Sequence, residues 1–346
     1  MKRKIMKLLI VALVLTVFFS AIPAVFATQQ DQIPVPQISS ADHIHTDMLG
    51  DVLSGDGMCD ICFIPMGAQQ EEIGVVDAVI LGFIQGVAEF LPISSSGHLA
   101  IFQKFLGLTT QEDMFFDILL HIATLCAVFV AYWSEIKAIV LEFFTMIGVR
   151  KLPKGQQPDR LSRRMILFII VATLPLFLVL PFKDNVEGLK NETWFIGLAL
   201  LTTGTLLFLS DRFGRGRKDI KDATLLDAVL VGCAQAVATV PGLSRSGTTI
   251  SAGMGRGFNR EFAVKFSFLM SIPAIVGAFI LELVDAFQVG VVWNWSYLVG
   301  MLVAAVSGYL SIYLLKMITR RSTFGGFCYY CWGAGLVTVI LSLIYA

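Results

Sequence analysis

VVDAVILGFIQGVAEFLPISSSGHLAIFQKFLG, residues 75–107, begins as an apolar helix, breaks at Leu91, Pro92 and three serines, and then turns apolar again. Gly, Pro and Ser interrupt it too often for one simple membrane-crossing helix. Irregular backbone at membrane depth is tolerated only where it is buried in protein or lines a cavity, because its polar groups need partners. A second stretch, LLDAVLVGCAQAVATVPGLSRSGTTISAG at 225–253, is built the same way. The two are copies at an offset of 150 residues: between 77–97 and 227–247, ten of twenty-one positions are identical, including Asp77/Asp227, Gly82/Gly232, Gln85/Gln235, Ser94/Ser244, Ser96/Ser246 and Gly97/Gly247.

The rest of the chain fits a membrane setting. Of 346 residues, 56% are hydrophobic and only 15% charged, against roughly 45–50% and 25% in soluble domains. Apolar segments at about 114–133, 163–181, 194–210, 261–281, 295–315 and 326–344 approach the roughly 20 residues that span a bilayer core. With 114 entered from outside, the inner loops hold Lys137, Arg150, Lys151, Lys154 and Arg160, then Arg212, Arg215, Arg217, Lys218 and Lys221, then Arg256 and Arg260, then Lys316, Arg320 and Arg321. The outer loops hold only Lys183 and Lys190. That bias orients the chain under the positive-inside rule, with the mature termini outside. Three crossings separate the two broken segments, so they enter from opposite faces. The expected fold is an all-α polytopic membrane protein with six transmembrane helices and two re-entrant helix pairs, arranged as an inverted repeat over about 75–210 and 225–344.

Residues 1–7 carry four positive charges, 8–20 are apolar, and AVFA at 24–27 precedes Thr28, the pattern of a cleavable signal peptide over 1–27. Residues 28–71 read as a polar extracytoplasmic tail, and 72–346 as the membrane domain. The tail's His43, His45, Cys59 and Cys62 match a zinc site poorly. Cys126 and Cys233 sit in apolar runs, and Cys328 and Cys331 read as reduced thiols near the inner face. Residues 134–147, with Glu135, Lys137 and Glu142, read as an interfacial helix. Gly308, Gly325, Gly326 and Gly333 permit close helix contacts, within one chain or in a homodimer.

Function concentrates where a repeat breaks its own symmetry. The first copy has Glu89, Ser95 and His98 where the second has Thr239, Arg245 and Thr248. Ionisable groups at membrane depth are costly and mark wet functional cavities. A purely structural Glu89–Arg245 pair would leave His98 and the hydroxyls of Ser94, Ser95, Ser96, Ser244 and Ser246 without a task. The planar fork of Arg245 suits phosphate oxygens. His98 is suited to act as nucleophile, or as base or acid toward Ser95 or water. Glu89 is suited to orient the imidazole or, with Gln85 one turn earlier, to hold a divalent cation. Phosphoryl chemistry in a membrane cavity implies a lipid phosphate substrate.

At these residues the chain resembles the undecaprenyl-diphosphate phosphatase, or bacitracin-resistance, family. The motifs are (E/Q)xxxE at Gln85–Glu89 running into FLPISSSGH at 90–98, and PGLSRSGTT at 241–249, and the likeness continues through FFDILLHIATLCAVFVAYW at 115–133 and covers essentially all of 72–346. The resemblance implies hydrolysis of the C55 carrier diphosphate in a cavity open to the periplasm of the bacterial inner membrane. That would recycle the carrier for peptidoglycan and other envelope polymers and confer bacitracin resistance. It implies Glu89 as the essential acid, Ser95 or His98 as nucleophile and Arg245 as phosphate clamp. Ser94, Ser96, Ser244 and Ser246 would line the phosphates, and Mg2+ or Ca2+ would serve as cofactor. Nucleic acid is not an expected partner. Gln85 stands where many members have Glu, and the signal peptide and tail are additions to the family pattern. His121, outside both motifs, reads as a packing or hydrogen-bonding residue. A polyprenyl-phosphate transporter or flippase is the competing reading.

Overall fold

The computed structural model describes residues 73–344 apart from 107, 109, 153–156, 215, 290–293 and 322–323. The signal peptide, the 28–71 tail with its His43, His45, Cys59 and Cys62, and also Lys154 and Arg215, lie outside the described residues. Helix α1 (Val75–Phe90) is followed by α2 (Ser95–Leu106), α3 (Thr110–Ala131) and α4 (Trp133–Met146). Then come α5 (Arg160–Thr173), which runs on through 3-10 turns at Leu174–Leu178 and Leu180–Phe182, the short α6 (Lys183–Gly188), and α7 (Thr193–Phe213). The second half has α8 (Leu225–Val237), α9 (Arg245–Gly255), α10 (Arg260–Val289), α11 (Ser296–Arg321) and α12 (Gly325–Ile344). The fold is all-helical; among the described residues the only β pairing is an isolated bridge between Lys218 and Phe258.

Five segments are long and apolar enough to cross a membrane: Arg160–Phe182, Thr193–Phe213, Arg260–Leu281, Ser296–Arg320 and Gly325–Ile344. They coincide with five of the six spans read from hydropathy. The sixth, 114–133, belongs to α3, and the chain then turns by 88° into α4, the segment read as an interfacial helix. No Gly or Pro marks this bend. Instead Tyr132 is buried there, with its ring edge-on to Phe268. Lys316 lies 3.5 Å above that ring and donates to the carbonyl of Ala131 at 2.8 Å, so the helix end finds a cation as partner. At the end of α5, Pro175 and Pro181 remove backbone donors, and the helix tightens into 3-10 turns.

Both broken segments form a helix, a turn and a second helix. Each first helix is capped by its aspartate: Asp77 Oδ2 accepts from Gly74 N at 3.2 Å, and Asp227 Oδ2 from Thr224 N at 2.9 Å. Pro92 forces Leu91 out of the helical region, and α1 stops. The second turn uses Gly242, whose φ is +84°. Each second helix begins at a serine whose hydroxyl accepts from a backbone N–H three residues on, Gly97 N to Ser94 at 3.2 Å and Gly247 N to Ser244 at 3.0 Å.

Close backbone approaches lock the helices together, since lipid supplies little driving force between them. A Cβ on Gly82 would fall 2.3 Å from the carbonyl oxygen of Gly300, and one on Gly86 would fall 2.5 Å from that of Ala304. Thus α1 lies directly against α11. At the equivalent position of the second copy, a Cβ on Gly232 would meet the carbonyl oxygen of Ala172 at 2.4 Å, placing α8 against α5. Helices α7 and α12 meet through Gly197 and Gly335. Gly308 lies against the ring of Phe90 in the same chain, whereas Gly333 faces open space. Asp227 is fully buried and takes Lys218 Nζ at 3.1 Å and Arg256 Nε at 2.8 Å. Further basic residues of the loops and helix ends pair as Arg163–Glu142, Arg260–Asp211 and Lys265–Glu135. Cys126 and Cys233 are surface thiols, whereas Cys328 and Cys331 are buried, and all four are free.

Candidate active site

The two turns meet and clasp each other. Ser96 Oγ accepts from Gly242 N at 3.3 Å, and its counterpart Ser246 donates to the carbonyl of Leu91 at 3.3 Å. Helix α7 braces the second turn, because Thr203 Oγ1 accepts from Ser244 N at 3.1 Å. Of the four serines read as phosphate-lining, Ser94 and Ser244 therefore cap helices, and Ser96 and Ser246 fasten turn to turn.

Across this junction lies a polar chain. Glu89 is buried on the last turn of α1, where Oε2 accepts from Ser95 Oγ at 2.6 Å and from Gln85 Nε2 at 3.1 Å. Its other oxygen, Oε1, accepts from Arg245 Nη2. The pairing weighed as a purely structural alternative therefore exists, but it carries Ser95 with it. Arg245 opens α9, with its side chain 23% exposed, and its second amino group, Nη1, is buried without a partner. A guanidinium with one arm on a carboxylate and the other unpaired is an anion receptor beside a hydroxyl that already has a proton acceptor.

His98 is placed differently. It is buried, Nδ1 lies 2.6 Å from the carbonyl oxygen of Ser94, and Nε2 lies 2.6 Å from the hydroxyl of Tyr330. A carbonyl only accepts, so Nδ1 carries the proton, and in the neutral ring Nε2 accepts from Tyr330. Both ring nitrogens are engaged within the protein.

The sequence profile described as "Bacitracin resistance protein BacA" matches residues 78–337, which include every residue of this junction. The chain belongs to that family. A relative from Alkaliphilus metalliredigens named undecaprenyl-diphosphatase is 43% identical over 270 residues, covering 77% of this chain and 98% of the relative. Proteins of the same name from Methanobrevibacter smithii and Carboxydothermus hydrogenoformans are each 39% identical, over 278 and 269 residues. They cover 78% and 76% of this chain, and 98% and 96% of themselves.

Two residues of this BacA-family site escaped the sequence reading as site residues. His121 on α3 donates from Nδ1 to the carbonyl of Asp117 at 2.8 Å, the hydrogen bonding expected of it, and also turns Nε2 toward Glu89 Oε2 at 3.9 Å. Its position in the FFDILLH run, one turn after Asp117, was the available signal. Tyr330 on α12 lies 232 residues from His98, and no motif marks it. For a cation, the described residues bring together no group of three or more His, Cys, Asp or Glu. Gln85 Oε1 is buried without a partner on the helix turn before Glu89, but Nε2 is the atom that faces the carboxylate, so the amide would have to turn over to offer its oxygen beside Glu89. Hard oxygen donors of these two types would suit magnesium or calcium.

Proposed function

We propose that the protein hydrolyses undecaprenyl diphosphate to undecaprenyl phosphate and inorganic phosphate. The observation that carries this is the chain from Ser95 through Glu89 to Arg245: a nucleophile on a carboxylate, and that carboxylate on a guanidinium with a spare donor. The names of the relatives supply the substrate. Arg245 Nη1 binds oxygens of the terminal phosphate and stabilises charge as the phosphorane-like transition state forms. Glu89 Oε2 takes the proton of Ser95 as Oγ bonds to the terminal phosphorus, and the bond from that phosphorus to the bridging oxygen breaks, releasing undecaprenyl phosphate. Glu89 gives that proton up to the departing undecaprenyl phosphate, then takes one from the water that attacks the phosphoserine; the bond from phosphorus to Ser95 Oγ breaks, Glu89 returns the proton to Oγ, and inorganic phosphate leaves. Ser95 is preferred to His98 as nucleophile because both nitrogens of His98 are already bonded. Gln85 Oε1 and Glu89 would hold the divalent cation, which when bound neutralises diphosphate charge.

The remaining readings go with this one. The two halves form an inverted-topology repeat, supported by the equivalent packing of Gly82 on α11 and Gly232 on α5 and by the reciprocal Ser96 and Ser246 clasps. The positive-inside bias supports a site and mature termini facing the periplasm, where the reaction serves envelope-polymer synthesis and bacitracin resistance. A transporter of the carrier lipid needs an anion clamp but no hydroxyl hydrogen-bonded to a carboxylate. The test is phosphate release from undecaprenyl diphosphate by the purified protein in detergent with magnesium or calcium, beside Arg245→Ala. Release by the wild type that vanishes in the variant supports the reading. No release from folded wild-type protein refutes it.

A further inference from the structure

Ser94 is the only non-glycine residue with positive φ among the described residues, at +73°. Its repeat counterpart Ser244 has a φ of −72°, and the second turn places its left-handed residue at Gly242 instead. A left-handed conformation is costly for a residue with a side chain and persists only where the surroundings impose it. The surroundings here are identifiable. The carbonyl of Ser94 accepts from both His98 Nδ1 at 2.6 Å and His98 N at 3.3 Å. The imidazole is in turn gripped by Tyr330, which stacks on it with the ring planes 15° apart and meets Nε2 with its hydroxyl at 2.6 Å. The next residue on α12, Cys331, points its thiol at the carbonyl of Pro92 at 3.5 Å. Helix α12 therefore holds the 91–94 turn at two points, and the residue that follows is Ser95.

We propose that Tyr330 is a positioning residue for the reaction: acting through His98, it keeps Ser94 left-handed and so sets the Ser95 hydroxyl on Glu89. The inference rests on the phosphatase reading, with Ser95 as nucleophile. It gives His98 a mechanical task in place of the chemical one considered from its residue type. It also explains why the first turn needs an imidazole where the second has Thr248: the second turn carries its left-handed residue as a glycine, which needs no external restraint.

The experiment is a double-mutant cycle read as phosphate release from undecaprenyl diphosphate, with the folded fraction measured by size-exclusion chromatography. Tyr330→Phe keeps the stacked ring and removes only the hydroxyl that meets His98 Nε2. It should lower kcat about tenfold and leave KM within about twofold, since the phosphate clamp is untouched. Ser94→Gly removes the cost of the left-handed conformation. In that background the same Tyr330→Phe change should cost less than about threefold. Unchanged kcat in Tyr330→Phe, or an equal penalty in both backgrounds, overturns the proposal. A loss confined to folded yield, with normal kcat per folded molecule, overturns it equally. Absence of phosphate release from the folded wild type would instead remove the phosphatase reading beneath it, so the two failures are distinguishable.

Discussion

Glu89 and Arg245 join the two halves of the molecule, and their environments differ enough to predict an asymmetric mutant cycle. The Glu89 side chain is 3% exposed, whereas that of Arg245 is 23% exposed. Arg245→Met would leave a carboxylate buried with only the donors of Ser95 and Gln85. Breaking a buried pair in this way costs about 3–5 kcal/mol, and with those two donors retained the lower end, about 3 kcal/mol, is expected. Glu89→Gln would leave a guanidinium that reaches water, at a cost of about 1 kcal/mol. The double variant removes both charges and should return to within about 1 kcal/mol of the wild type. At about 2–3 °C per kcal/mol for a chain of this size, thermal unfolding in detergent, followed by tryptophan fluorescence, should fall by roughly 6–9 °C, 2–3 °C and 0–3 °C respectively. All three variants should lack turnover, because the clamp or the base is gone in each. Equal destabilisation by the two single variants, or a double variant whose loss is the sum of theirs, would show that Glu89 and Arg245 are not coupled as a buried pair.

Other outcomes follow from single contacts. Gly86→Val should sharply reduce folded yield, because its Cβ would lie 2.0 Å from Ser307 Oγ and 2.5 Å from the backbone oxygen of Ala304, and overpacking of this kind costs about 1–3 kcal/mol or more; recovery of stable protein in detergent would contradict it. Asp227→Asn should lower stability by about 1–2 kcal/mol, since two charge-assisted bonds weaken while Lys218 and Arg256 still reach water; a melting curve superimposing on the wild type would count against the pairings. Chelating divalent cations should stop turnover, and Gln85→Leu should raise the magnesium concentration needed for half-maximal rate without altering the melting temperature by more than a few degrees; an unchanged metal requirement would remove Gln85 from the cation site.

Much of the fold was legible because membranes restrict what an apolar chain does. Five spans, both broken segments and their junction followed from run length, Pro and Gly placement and the 150-residue offset. The motif residues Glu89, Ser95 and Arg245 come together, but through the Glu89–Arg245 pair that the sequence offered only as a structural contact, and His98, which Glu89 was expected to orient, bonds to Ser94 and Tyr330 instead. What escaped depends on contacts between distant segments. The bend at Tyr132 has no breaker residue and is supported by Lys316 of α11. Tyr330 and His121 approach the site from helices whose sequence reads simply as membrane-spanning. His98 looks catalytic in sequence because imidazole usually is, but the structure occupies both of its nitrogens. The hydroxyls of Ser94, Ser96, Ser244 and Ser246 were attributed to phosphate binding, and sequence alone could not show that caps and clasps would engage them.

If Ser95, activated by Glu89, attacks the terminal phosphate, its hydroxyl is indispensable to turnover. The direct measurement is phosphate release from undecaprenyl diphosphate by purified Ser95→Ala, with its folded state matched to that of the wild type. Removing one hydroxyl from a surface that is not tightly closed should leave the fold intact and reduce turnover by at least about a thousandfold. Turnover within tenfold of the wild type would contradict the assignment and return the nucleophile to water or to another residue.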